Sequence, residues 1–409
     1  MISLPDTSTL TPTVVEPGLY TCPASGTSLV RLDLLTEAGS AYQERKLCAS
    51  AAAKLATVAT NKLGSAALSE FMDYRGILVE TDSQTLQVSQ TFYFLRRYAD
   101  ELLPVVGDMM RGTAFTDSDF EVWSGKRRQD ILAAEQKTSA IARRLFYEKL
   151  FGLQHPLGSY ATAADLDRLT AADVRRHHDT LYTPDRTTVV LGGMVDEKLL
   201  DLVGRHLPHG RSVERPALPA FTAVAPQRAH QAMATATQTT VRVGRVLPLR
   251  WDDMDYARLT LVVTALGGYF GSRLMSNLRE DKGYTYGIYS RTQIYRGVIV
   301  FYITADVAAA SAEAAVGEIM NELGRLCSEP IGEEELEMVR NVMAGDFLRS
   351  VDGVFERSAR FCDQYGACVD ERLTDNLRLA LATATPAELQ SLSARLLQPS
   401  LMTVCTAGA

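Results

Sequence analysis

An arginine and a tyrosine seven positions apart, Arg279 and Tyr286, lie in the run GSRLMSNLREDKGYTY that spans 271–286. A guanidinium and a phenol held near each other can donate hydrogen bonds to an oxygen that gains negative charge during acyl transfer. A preorganised donor of this kind is worth roughly 2.7–4 kcal/mol in a transition state. The same two residues also have a plainer use, with Arg279 capping the carbonyls at a helix end and Tyr286 filling a sheet.

The elements that must position them can be read from the spacing around them. Leu274 and Leu278 are four apart and share a helix face, and Gly283 stands where a left-handed residue closes a last helical turn. Arg279 therefore falls in the final turn of a short helix. Beyond Gly283 the positions Tyr284, Tyr286, Ile288 and Ser290 alternate with period two, which predicts a strand beginning beside the helix end.

With 409 residues the chain suits two domains of about 200 residues each. It carries 42 Lys and Arg against 49 Asp and Glu, a formal net charge of -7, and no basic stripe. That balance argues against nucleic acid or an anionic membrane as a partner. No apolar run approaches the length of a membrane span, and the stretch 1–20 lacks a basic start followed by an apolar core, so the expected compartment is the cytoplasm. The six cysteines are scattered, without a C-x-x-C pair, and are expected to be reduced and mostly buried.

Three offsets recur between the halves. Gly64 precedes Gly76 by twelve residues, as Gly271 precedes Gly283; Thr170 and Thr385 each open a T-x-x-acid cap box and precede a proline by fourteen; and those prolines, Pro184 and Pro399, precede Gly193 and Gly408 by nine. The same order of coincidences in both halves points to duplication. The first half reads as a strand over 28–36 with Val30, Leu32 and Leu34 on one face, an alanine-rich helix over about 45–60, a short helix, strands within 85–94 and then helices. The second half repeats this with strands at 240–247 and within 284–305 and helices near 256–265, 308–326 and 333–350. The predicted organisation is an N-terminal domain at 1–207, a proline-bearing linker at 208–231 and a C-terminal domain at 232–409, each an α+β unit with a mixed, mostly antiparallel sheet and helices on one face.

The run at 271–286 resembles the signature of the C-terminal domain of the M16 zinc peptidases, the family of pitrilysin and the mitochondrial processing peptidase. The segments LFYEKLFGLQHPLG at 145–158 and YTPDRTTVVLGG at 182–193 resemble its N-terminal domain. The resemblance implies the LuxS/MPP-like metallohydrolase fold in two tandem copies facing each other across a cleft. It also implies that Arg279 and Tyr286 approach a bound peptide opposite the metal.

What the resemblance does not carry over is the metal. The family builds its zinc site from an H-x-x-E-H helix and a distant glutamate, and the first histidine in this chain is His155. Setting Gly39, Ser40 and Ser65 on their family positions lays Ser50, Ala53 and Lys54 over the histidine, glutamate and histidine, and the distant glutamate falls at Ala134 or Glu135. No zinc or other cofactor is expected in this chain. The remaining histidines His177, His178, His206, His209 and His230 are expected at the surface rather than as ligands.

Two functions follow from the resemblance. In the first, the chain is a zinc-free subunit, in a heterodimer with a zinc-bearing M16 subunit or in a homodimer, that supplies Arg279 and Tyr286 to grip a peptide substrate. In the second, it is a structural or peptide-binding assembly protein, like the core subunits of the cytochrome bc1 complex, with Arg279 and Tyr286 as remnants that brace a helix end.

Overall fold

A computed structural model describes residues 10–210, 218–222 and 224–409. Among the described residues eleven strands form two sheets. The first contains β1 (Thr13–Glu16), β2 (Leu19–Pro23), β3 (Leu29–Thr36), β4 (Leu78–Ser83), β5 (Val88–Leu95) and β6 (Thr187–Gly193), in the order β1-β2-β6-β3-β5-β4. The second contains β7 (Arg228–Ala232), β8 (Gln238–Leu247), β9 (Thr285–Tyr295), β10 (Val298–Ala308) and β11 (Thr403–Gly408), in the order β7-β11-β8-β10-β9. Without β1 the two orders are the same, and among the described residues the only parallel pair of each sheet lies at the corresponding place, β2 with β6 and β7 with β11. The duplication seen in the offsets is thus a duplication of topology.

The repeated sequence marks correspond to repeated backbone devices. Thr170 and Thr385 each accept from the amide three residues on while Asp173 or Glu388 reaches back to the threonine amide, closing a capping box in both halves. Gly76 and Gly283 both take the left-handed conformation, with φ of 61° and 65°, a geometry that costs a side-chain-bearing residue about 1 kcal/mol or more.

The strands pleat as their sequence requires. Val30, Leu32 and Leu34 point into a core closed by the Ala99–Arg111 and Glu197–His206 helices. Arg31, Asp33 and Leu35 point to the opposite face, where a helix from the far half, Val354–Ala367, lies across the sheet through Phe361, Cys362 and Tyr365. The exchange is reciprocal. The Thr138–Phe151 helix of the first half covers the outer face of the second sheet, packing Phe146, Tyr147 and Phe151 near Val300 and Cys405. Each half therefore has its own helices on one face of its sheet and a single helix of its counterpart on the other, which locks the two units together through apolar burial.

Some local expectations are corrected. The alanine-rich helix runs only over Cys48–Leu55. Leu47 before it is left-handed, and after Leu55 the β-branched Thr57 and Val58 sit in tighter turns closed by carbonyls three residues back. His177 and His178 are buried, not exposed. The His177 Nε2 lies 3.0 Å from the Ala38 carbonyl, and the His178 ring stacks on Tyr182 at 4.3 Å. Their helix, Ala171–Leu181, packs against Cys48–Leu55, so the face carrying them turns inward. His209 is also largely covered, with its Nε2 3.1 Å from Glu16, whereas His230 is exposed. The stretch read as a linker falls partly outside the described residues, at 211–217 and 223, and its end at Arg228 enters strand β7. All six cysteines are free, four of them buried. Among the described residues no helix is long and apolar enough to cross a membrane.

Candidate functional site

The helix that carries Arg279 is anchored by charged hydrogen bonds on its inner side. Arg273 makes a two-pronged contact with Glu335, both distances 2.7 Å, and the Asn277 amide donates to Glu318 at 3.1 Å and to the buried Glu322 at 2.8 Å. Leu274 and Leu278 are fully buried below it. From Met275 to Asp281 the turns widen into a π-helix, with the Lys282 amide donating to the Asn277 carbonyl at 3.0 Å. The Tyr284 amide then closes on the Leu278 carbonyl at 2.8 Å across left-handed Gly283. Arg279 emerges on this widened last turn. Its guanidinium lies 4.4 Å over the ring of Phe270 and makes no hydrogen bond or ion pair among the described residues.

Tyr286 departs from the alternation that its sequence suggests. Ala305 on β10 pairs with Ile288, and Val307 pairs with Thr285, so Tyr286 and Gly287 together oppose the single residue Asp306. This is a β-bulge, and it turns Tyr286 away from the buried face of Ile288 and Ser290. Thr285 fastens it by donating to the Asp306 carbonyl at 2.7 Å and accepting from the Gly287 amide at 3.1 Å. Tyr286 is left 90% exposed, on β9, the open edge of the second sheet, and its hydroxyl has no partner among the described residues. A π-turn and a bulge thus place an unpaired guanidinium and an unpaired phenol on either side of one helix-to-strand junction.

The positions that correspond to the metal site lie in the first half. Ser50, Ala53 and Lys54 share the Cys48–Leu55 helix, and Ala134 lies near the end of the Asp117–Glu135 helix that packs against it. The Ser50 hydroxyl donates to the Leu47 carbonyl at 3.1 Å, Ala53 is fully buried with its carbonyl accepting from Gln90 at 3.1 Å, and Lys54 points to solvent. A hydroxyl already committed to the backbone, a methyl group and an ammonium are not a donor set for zinc. Among the described residues no group of three His, Cys, Asp or Glu is placed to hold a metal ion.

Ser50 instead lines a polar cleft of about 380 Å³ with Lys46, Arg127 and Tyr160, and a second cleft of about 310 Å³ with Arg143, Arg144 and Tyr295 continues from it, the two sharing Ser40, Pro156, Ser159 and Tyr160. Neither Arg279 nor Tyr286 is among the lining residues. This basic cleft is not announced by any motif. The only trace in the sequence is the adjacent pair Arg143-Arg144 on the Thr138–Phe151 helix.

Comparison with known proteins agrees with this architecture. Residues 168–343 match the family model described as the peptidase M16 inactive domain. The chain is 24% identical over 240 residues to a non-peptidase homolog of Helicobacter pylori, covering 57% of this chain and 54% of that one. It is 23% identical over 329 residues to an uncharacterized zinc protease of Streptomyces coelicolor, covering 77% and 71%. The crystal structure of a peptidase M16 inactive domain from Pseudomonas fluorescens superposes with a TM-score of 0.85 at 18% identity over 95% of both chains. A protease structure from Helicobacter pylori gives 0.83 at 17% identity over 98% of this chain and all of that one. The matches span about half to seven tenths of the length of the curated relatives. The chain is thus similar to M16 peptidase-family proteins, and the part that the family model matches is of the inactive, peptidase-like type.

Proposed function

We propose that this chain is the non-catalytic subunit of a two-subunit peptidase, in which Arg279 and Tyr286 grip the peptide at the reacting carbonyl and a zinc-bearing M16 subunit supplies the metal. The observation that carries the reading is the state of the two donors. Both are unpaired among the described residues, both are held by a scaffold with part-buried charged or hydroxyl hydrogen bonds, and both stand beside an open strand edge to which a peptide backbone can add. Groups that only braced a helix end would spend their hydrogen bonds on it. The separation of Arg279 and Tyr286 from the cleft at Ser50 favours action on a site completed by another chain.

The test is reconstitution. The chain alone should hydrolyse no peptide, and the complex with a zinc-bearing M16 subunit that co-purifies with it should do so. In that complex Arg279→Ala should lower turnover by about a hundredfold or more. Turnover close to that of the unaltered complex would remove the role assigned to Arg279 and favour the structural, assembly-type reading.

A further inference from the structure

The two joined clefts beside Ser50 are lined mainly by cations where they are charged, and the function proposed above does not use them. Four cations line them, Lys46, Arg127, Arg143 and Arg144, against one carboxylate, Glu44, which Arg176 already engages at 3.3 Å. This concentration stands out in a chain whose net charge is -7.

The cations are arranged rather than merely near one another. Tyr160 forms the shared wall, with Arg144 4.3 Å and Lys46 5.7 Å from its ring centre, so the ring positions both. Arg144 reaches Gln231 at 3.3 Å, and Lys46 has only a loose contact with Asp165 at 3.8 Å. Arg127 has a buried Nε without a partner and makes no ion pair among the described residues, and Arg143 does no more than lie 5.9 Å from the ring of Tyr147. A buried guanidinium nitrogen without an acceptor is costly, and an incoming anion removes that cost.

We propose that this cleft binds an acidic peptide segment, its carboxylates set against Arg127 and Arg143, so that the degenerate metal position has become an anion-selective peptide site. The proposal deepens the reading above and rests on it for the ligand being a peptide. Two features favour a polypeptide over other polyanions. Ser83, the last residue of β4, lines the cleft, and β4 is the open edge of the first sheet, so backbone groups able to pair with an extended chain lead into the recess. The charge also lies in a pocket on an acidic protein, without the continuous basic stripe that tracks a nucleic-acid backbone.

The experiment uses the full chain alone and fluorescein-labelled ten-residue peptides of alternating alanine and glutamate or alanine and lysine, with a ten-nucleotide oligothymidylate, all read by fluorescence anisotropy. The acidic peptide should bind with an affinity that falls as salt is raised, and the basic peptide should not bind. Arg127→Glu with Arg143→Glu should weaken the acidic peptide by about tenfold or more. The exposed Arg143→Glu by itself serves if the pair impairs folding, as judged by circular dichroism, and should weaken binding measurably. Equal binding of acidic and basic peptides, an unchanged affinity after charge reversal, or tighter binding of the oligonucleotide would each overturn the proposal. The two readings fail separately. Acidic-peptide binding beside a cleavage rate indifferent to Arg279 sinks only the subunit role, and unselective binding beside a cleavage rate that depends on Arg279 sinks only the cleft.

Discussion

Arg296, at the tip of the β9–β10 hairpin, reaches into the first half and holds Glu37, its Nη2 3.1 Å from Oε1 and its Nη1 3.3 Å from Oε2. The Tyr42 hydroxyl joins them, accepting from Arg296 at 2.7 Å and donating to Glu37 at 3.2 Å. Both charged side chains are at most 10% exposed. The turn that delivers the guanidinium is Arg296-Gly297, both at positive φ, as a two-residue hairpin of this hand requires. An arginine at φ 40° occupies a place that glycine or asparagine usually takes, which fits a side chain selected for its contact rather than for its turn preference.

Breaking this pair from one side takes a close, hydrogen-bonded counterion away from a buried charge. Arg296→Met should therefore lower the unfolding free energy by about 3–5 kcal/mol in urea titrations. The double change Glu37→Leu with Arg296→Met should recover most of that loss, because the desolvation cost of both ions disappears with them. A single substitution with no measurable effect would show that the pair is solvated in solution.

Arg279 and Tyr286 should behave in the opposite way. Tyr286 is 90% exposed and Arg279 has only its ring contact with the exposed Phe270, a type of interaction worth about 0.5–1 kcal/mol at such a site. Arg279→Ala and Tyr286→Phe should each move the unfolding free energy by no more than about that amount, while the reconstituted peptidase loses turnover. A large loss of stability would identify the two residues as braces instead.

Restoring the acidic position of the metal motif should be harmful. Ala53 is fully buried among apolar neighbours of the Cys48–Leu55 helix, so Ala53→Glu places a carboxylate where water does not reach. The expected cost is more than about 2 kcal/mol of stability, read as a lowered denaturant midpoint. The unaltered chain, dialysed with zinc and analysed by atomic emission, should retain no stoichiometric metal.

The buried histidines set a pH dependence. Burial holds the pKa of His177 and of His178 below the usual histidine value, opposed for His177 by its bond to the Ala38 carbonyl and for His178 chiefly by Asp179 at 3.5 Å. The unfolded chain takes up these protons below about pH 6.5 while the folded chain does not. Stability from this source is complete above that pH and falls as the pH drops toward the depressed folded values. His178→Phe keeps an aromatic ring to stack on Tyr182 and removes the titratable nitrogens. Between about pH 6.5 and 5 it should reduce the slope of stability against pH by up to about 1.4 kcal/mol per unit. An unchanged slope would place the titration elsewhere.

Much of the fold could be read locally because its devices are local. A threonine with an acid three residues on defines a capping box at Thr170 and at Thr385, a glycine after an apolar pair defines the left-handed closures at Gly76 and Gly283, and alternation defines β3. Where reading failed, a distant partner overrode the local pattern. Alternation put Tyr286 on the face of Ile288, and the pairing of β9 with β10 inserted a bulge there; His177 and His178 looked like surface residues until another helix covered them.

The amino-acid order alone determined that this chain is a duplicated α+β unit, that Arg279 and Tyr286 flank a helix-to-strand junction, and that no histidine precedes His155 to rebuild the metal motif. Each of these depends on residue identities within a few turns of one another or on a simple absence. The tertiary structure decided the exchange of the Thr138–Phe151 and Val354–Ala367 helices, the clasp of Arg296 on Glu37, and the gathering of Lys46, Arg127, Arg143 and Arg144 around Tyr160. Those arrangements join residues up to hundreds of positions apart, and no local propensity encodes them, because their energy exists only once two separately formed surfaces have been brought together.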